Sequence, residues 1–437
     1  MFLGVYTLQI NSYDINYREL KKLVYSKFRR EEMKKEFFKQ ILKYLGPAFI
    51  VSVAYVDPGN FATNIAGGSM FNYSLLWVIL ASNLMAIFLQ INSAKLGIAT
   101  NKNLSEECRV AFSKKINIFL WIIMLFASIA TTMAEFLGGA LGLYLLFGIP
   151  LPIAGVLTFI ITFIIVNLEK YGQRVIEIVI TSLIAVICVA YGIEIFLAKP
   201  DYIQIGIHTL LPSIKTIDAL LIAVGMLGAT VMPHVIFLHS DLVKVRNKKL
   251  KTFKEKKYHL KMEKIDVIIA MNIAFIVNAA MVIVSAAVFY KQGMVVDTIE
   301  IAHKSLEPLL GKLSSSSFAI ALLASGFSSS AVGAMAGESV MDGFINIKLS
   351  NNLKRLITMI PSMIIILLGI NPMKALLLSQ VSLSFALPMA IIPLLVITSN
   401  KKIMGNFVNN KIVKIMGIII STVIITLNIA LLILNII

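Results

Sequence analysis

Acidic side chains are scarce in this chain. Twenty-three Asp and Glu stand against 40 Lys and Arg, and charged residues make up only 14% of the 437. A soluble domain carries about 25% charged residues, so an ordinary water-facing surface is excluded. Cysteine is nearly missing: Cys108 and Cys188 form no framework of paired thiols and no cysteine metal site. The five histidines, at 208, 234, 239, 259 and 303, never adopt the His-Glu-x-x-His spacing of a helical metalloenzyme. No linker rich in Gly, Ser or Pro divides the chain, and no signal-peptide pattern opens it.

What fills the chain is hydrocarbon. Apolar residues make up 58% and the mean hydropathy is +0.86. A helix needs about 20 apolar residues to cross a bilayer. Eleven segments are predicted to do so: 44–67, 73–97, 117–145, 150–168, 174–197, 217–243, 264–290, 313–345, 356–370, 374–398 and 412–436. The net charge of +17 alone would suit a nucleic-acid partner, but its distribution argues for topology instead. Of the 40 Lys and Arg, 33 fall in six stretches, 1–43, 98–116, 169–174, 244–264, 346–355 and 399–414. With the N-terminus in the cytoplasm, all six lie on the cytoplasmic side, as the positive-inside rule requires. No nucleic-acid partner is expected. The lysine-rich loop 244–264 reads as a solvated face near anionic lipid. Residues 1–43 are predicted to be an amphipathic cytoplasmic segment, and 44–437 the transmembrane domain.

Two of the apolar segments are interrupted. Asp57-Pro58-Gly59-Asn60 breaks the first and Met232-Pro233-His234 breaks the sixth. Proline removes a backbone donor and clashes with the preceding turn, and Gly59 permits angles that other residues resist. The first helix opens and frees carbonyls near Ala54 and Tyr55. In the second break Gly225, Gly228 and Pro233 weaken the helix, so Ala229 can present its carbonyl. Non-helical backbone is tolerated in a bilayer only where protein buries it or a cavity lines it, and paired broken helices point to a transporter's substrate site. Breaks five helices apart also fit a five-plus-five inverted repeat, with the eleventh helix as an addition.

A carboxylate at mid-membrane costs about 2.5–3.5 kcal/mol on insertion scales, so Asp57 is a functional candidate. Asn60 beside it suffices as a helix cap, leaving Asp57 for a ligand. The thioether of Met232 is soft and favours transition metals over Mg²⁺ and Ca²⁺; against this, most of the 20 methionines must be apolar filler. His234 is either a hydrogen-bonded structural group or a proton relay. Glu135, the other deep acid, is either a relay or a paired structural group.

These residues resemble the Nramp family of divalent metal transporters, which includes the bacterial manganese transporters. The resemblance covers about residues 44–436. It rests on Asp57–Thr63, Leu75-Leu76-Trp77, Ser93–Thr100, Ala134–Gly138, Gly228–His234, Leu238-His239-Ser240, Arg246, Asn278, Met341, Gly343, Phe344, Leu387-Pro388, Thr398-Ser399-Asn400 and Met404-Gly405. It implies an all-α, leucine-transporter-like fold working by alternating access. It also implies metal binding by Asp57, Asn60, Met232 and the Ala229 carbonyl, with the Ala54 carbonyl joining in some states. His234 and Glu135 match positions linked to proton movement. Mn²⁺ or Fe²⁺ is then cargo. No resident cofactor and no catalysis are expected, and the chain is expected to act as a monomer in the cell membrane.

Three positions depart from the family's pattern. Thr132 replaces an Asp and Leu125 an acid, which weakens the expected proton route. Ala386 stands where many members place Gln before the Leu-Pro pair. The alternatives are a magnesium-transporting relative, against which Met232 argues, and a passive cation channel, which would lack closed gates on both faces.

Overall fold

Proline sets the boundaries of this fold. The computed structural model describes residues 44–247, 250–345, 349–369 and 371–436; the amphipathic segment expected at 1–43 lies outside them. Residues Gly46–Ile437 form one compact unit, all helical among the described residues. The first apolar segment is α1 (Pro47–Ala54) and α2 (Pro58–Phe71), each with proline at its start, where a missing N–H costs nothing. Next come α3 (Leu76–Thr100), α4 (Lys114–Phe147), α5 (Leu151–Asn167) and α6 (Gln173–Ala198). The sixth segment is α7 (Ile217–Thr230) and α8 (Pro233–Asn247). Then follow α9 (Phe253–Val288), α10 (Lys312–Ile345), α11 (Asn351–Leu367), α12 (Pro372–Ala386), α13 (Pro388–Thr398) and α14 (Lys411–Ile436).

Nine helical stretches among the described residues are long and apolar enough to cross a membrane, two fewer than the eleven segments. The difference has two causes. Helices α2 and α3 run together through a short 3-10 turn at Asn72–Leu75 and count as one stretch. The ninth segment yields only the 17 residues of α11, about 26 Å at 1.5 Å per residue, against about 30 Å of hydrocarbon.

Burial separates centre from edge. The apolar stretch of Ile217–Asn247, which carries the second break, is 94% buried, whereas that of α14 is 17% buried. This agrees with α14 as an addition at the periphery.

The 36-residue α9 braces the broken first helix along its length. Its Asp266 carboxylate accepts the Gly46 amide at 3.2 Å and the Ala48 amide at 3.0 Å. Those amides are orphan donors at the start of α1, and Gly46 offers no side-chain cap of its own. Higher up, Asn278 Nδ2 donates to the Tyr55 carbonyl at 2.6 Å, and its Oδ1 accepts from Asn64 Nδ2 at 2.8 Å. Ser285 Oγ donates to the Ile65 carbonyl at 2.7 Å. From α10, Ser325 Oγ donates to the Val56 carbonyl at 2.6 Å. Side chains of two neighbouring helices thus satisfy backbone that the first break would leave unpaired.

Candidate metal site at the two helix breaks

Both breaks follow one rule of spacing. In a continuous helix each carbonyl accepts from the amide four residues on. Four residues after Ala54 stands Pro58, and four after Ala229 stands Pro233. Neither proline has an amide to give. The two carbonyls that the resemblance assigns to a metal are therefore the two that proline leaves without a helical partner. Asp57 and Met232 occupy the same place in each break, directly before the proline. This Ala-x-x-x-Pro correspondence, 175 positions apart, is the repeat signal that overall sequence similarity did not reveal.

Asp57, Asn60 and Ala229 come together. Asp57 caps α2: its Oδ1 accepts the Asn60 backbone amide at 2.8 Å and Asn60 Nδ2 at 2.7 Å. The expectation that Asn60 would do the capping is reversed, because Asn60 sits inside the first turn with its amide pointing back at Asp57. The Asn60 Nδ2 group also donates to the Ala229 carbonyl at 3.1 Å. One carboxamide bridges the two breaks. Its Oδ1 accepts from Thr230 Oγ1 at 3.4 Å.

Met232 lies in the second break itself, between α7 and α8, and Ala54 ends α1. Asp57, Asn60, Ala54, Ala229 and Met232 all have 0% exposure, so all five are sealed from solvent. Among the described residues no group of three His, Cys, Asp or Glu is placed to hold a metal ion. What the hydrogen bonds join is one carboxylate, one carboxamide and one carbonyl, those of Asp57, Asn60 and Ala229.

The sequence reading missed Gln380. In α12 the family pattern draws attention only to Ala386, where many members place Gln. Six residues earlier, Gln380 Nε2 donates to Asp57 Oδ2 at 3.4 Å. A glutamine amid Leu376–Leu383 is costly in lipid unless it faces a polar site, and that was the available signal. Gln380 also explains Gly59. The glycine sits in ordinary helix and has no positive φ, but a Cβ there would lie 1.8 Å from Gln380 Nε2. The residue is needed for space rather than for unusual angles. Gly225 and Gly228 likewise fall inside continuous α7.

The two proton candidates are not joined. His234 Nδ1 meets Thr131 Oγ1 at 3.4 Å. No hydrogen bond reaches His234 Nε2 or either Glu135 oxygen among the described residues. Glu135 packs against Gly333 of α10, where a Cβ would lie 2.2 Å from its Oε2. Thr132 turns its hydroxyl back to the Ser128 carbonyl at 2.9 Å, so its proton is already committed within α4.

On the side of α1, a second polar group, one without a role in the sequence analysis, ties α3 to the first break and to α8. Gln90 Nε2 donates to Tyr55 Oη at 2.5 Å, and Gln90 Oε1 meets His239 Nδ1 at 2.9 Å. Further along, Arg246 pairs with Glu177 at 2.7 Å.

Comparison with known proteins gives a consistent result. The family described as Natural resistance-associated macrophage protein-like, Nramp, matches residues 48–434. The chain is 62% identical to the divalent metal cation transporter MntH of Caldanaerobacter subterraneus, over 89% of this chain and 92% of that one. It is 65% identical to the protein of the same name from Clostridium acetobutylicum, over 90% and 91%. Among solved structures, a mutant of the Eremococcus coleocola manganese transporter superposes with TM-score 0.82 at 34% identity, covering 90% of this chain and 86% of that one. A nucleobase-cation-symport-1 family transporter shares the fold alone, with TM-score 0.57 at 16% identity over 80% and 77%.

Proposed function

We propose, from the premise that this chain belongs to the Nramp family, that it imports divalent transition-metal ions, Mn²⁺ or Fe²⁺, by alternating access. Its relatives are transporters and not enzymes, and the chain is a multi-pass membrane protein. The fold is the leucine-transporter-like arrangement that the resemblance implies.

One observation carries the reading: the Asn60 amide nitrogen donates to both Asp57 Oδ1 and the Ala229 carbonyl. Two acceptors from opposite breaks converge on a single positive point. A cation placed there takes over what the N–H groups supply. The carboxamide then turns about its terminal torsion, which is broad and two-fold, and presents Oδ1 as a ligand. Asp57 supplies the charge. Met232 supplies a soft donor, which transition metals accept at less cost than Mg²⁺ or Ca²⁺ do. The Ala229 carbonyl, and in some states that of Ala54, completes the shell.

Transport follows from helix halves that move separately, since proline has already cut the hydrogen-bond ladder at each break. Opening on the α1 side requires releasing Tyr55 from Gln90 and the start of α1 from Asp266. The basic loops place that side in the cytoplasm, the membrane is the cell membrane, and the working unit is the monomer. Proton movement is weakly coupled, because Thr132 and Leu125 interrupt the acid chain of α4 and Glu135 has no hydrogen-bonded link to His234.

The reading is tested by titrating purified protein with Mn²⁺ in a calorimeter. One ion per chain is expected for wild type, and an affinity lower by about 100-fold or more for Asp57→Ala, since removing one partner of a buried charge pair costs about 3–5 kcal/mol. Equal affinities would remove the assignment.

A further inference from the structure

We infer that a cleft on the cytoplasmic side, between the start of α9 and the start of α14, binds the phosphate group of an anionic phospholipid. The cleft encloses about 710 Å³ and is lined by Lys95, Lys254, Lys257, Lys261 and Lys264. No carboxylate pairs with Lys254, Lys257 or Lys264 among the described residues, and Lys95 donates to the neutral Asn409 Oδ1. Ammonium groups gathered on one cleft repel one another, so the arrangement favours an added anion.

Helical geometry makes the grouping specific. Lys254, Lys257, Lys261 and Lys264 are spaced three, four and three apart, which at 100° per residue puts them within an arc of about 80° on α9. His259, Glu263 and Asp266 fall on the opposite side of the same helix. Two acids are engaged there, Glu263 with His259 at 3.1 Å and Asp266 with the start of α1, while Glu255 accepts the Lys251 and Thr252 amides at the helix start. The helix therefore presents one purely basic face to the cleft. That the anion is a lipid follows from position and lining. The 36 residues of α9 span about 54 Å, so its first turns project past the hydrocarbon on the side where basic residues collect, at headgroup depth. The Phe253 and Phe407 rings, 5.2 Å apart, also line the cleft, and Phe407 packs on the apolar cluster of Ala94, Ile98, Val243 and Leu260. Such a floor suits the glycerol and upper acyl chain, while the lysines suit the phosphate. The ligand would sit on the helix that braces the broken α1.

The test uses full-length protein, stripped of lipid in detergent and then given phosphatidylglycerol, phosphatidylcholine or inorganic phosphate, with retention read by native mass spectrometry. Wild type should retain phosphatidylglycerol and not phosphatidylcholine. The variant Lys254→Gln/Lys257→Gln/Lys264→Gln should lose about fivefold in affinity per lysine removed, and the corresponding Lys→Arg variant should keep binding. Mn²⁺ titration of the Gln variant should match wild type, which separates this cleft from the substrate site. Equal phosphatidylglycerol retention by wild type and the Gln variant would overturn the proposal. Displacement of the lipid by millimolar inorganic phosphate would overturn the lipid assignment in favour of a soluble phosphate. A second measurement needs no variant: amide exchange over 253–264 should slow in nanodiscs containing phosphatidylglycerol relative to phosphatidylcholine alone, and unchanged exchange would also count against the cleft.

Discussion

Asp57 divides its two oxygens between two tasks. Oδ1 holds the first turn of α2 through Asn60, and Oδ2 meets Gln380 and is the oxygen proposed for the substrate. The sequence set these tasks against each other, as a cap or a ligand, because a string of letters does not show that one carboxylate has room for both. Gln380→Ala keeps the charge of Asp57 and removes one donor held at a long 3.4 Å. It is expected to weaken Mn²⁺ binding by only about fivefold, on the order of the 1 kcal/mol that a typical hydrogen bond contributes. A loss as large as that from Asp57→Ala would make Gln380 a principal ligand. The role proposed for Met232 is choice rather than strength. Met232→Ala should weaken Cd²⁺ most and Mn²⁺ less, and should let Ca²⁺ and Mg²⁺ compete, as read in a competition uptake assay. An unchanged order of preference would reduce Met232 to packing.

At the scale of elements, proline was the readable sign. Pro58 and Pro233 mark both breaks, and one of the carbonyls they orphan, that of Ala229, accepts from Asn60 of the other break. What lay beyond reach was the support from other helices. Asp266, Asn278 and Gln90 act on the first helix from positions 35–223 residues away in sequence, and no local pattern announces such pairings. The role of Gly59 was misread for the same reason: its constraint comes from Gln380 on another helix and not from its own backbone. Asp266 gives the sharpest test of the brace. Asp266→Ala leaves the Gly46 and Ala48 amides unpaired at a buried helix start, a cost of about 1–3 kcal/mol. The inner half of the broken helix should then open more often. A cysteine placed at Ser52, which is 1% exposed, should react faster with a membrane-impermeant thiol reagent applied from the cytoplasmic side. An unchanged rate would show that Asp266 does not hold α1 closed.

For the whole molecule, composition and charge placement were enough to read a multi-pass membrane protein, and nine spanning stretches among the described residues accord with that. The count of eleven was harder to read, because α2 and α3 run together and α11 is short. Proton coupling also belongs to this scale, since the two groups proposed for it, Glu135 and His234, stand on different helices, α4 and α8. With Thr132 bonded back into its own helix, a pH gradient should alter Mn²⁺ uptake only modestly. Membrane potential should matter more, because an inward divalent cation gains about 4.6 kcal/mol per 100 mV. Internal acidification that tracks Mn²⁺ uptake ion for ion would show that His234 and Glu135 suffice. The central claim, that the substrate crosses through the site where the two breaks meet, is tested most directly by Mn²⁺ uptake into proteoliposomes under an inside-negative potential. Wild type should take up Mn²⁺ with saturating kinetics, and a folded Asp57→Ala protein reconstituted at the same density should be nearly inactive. Near-normal uptake by Asp57→Ala would contradict it.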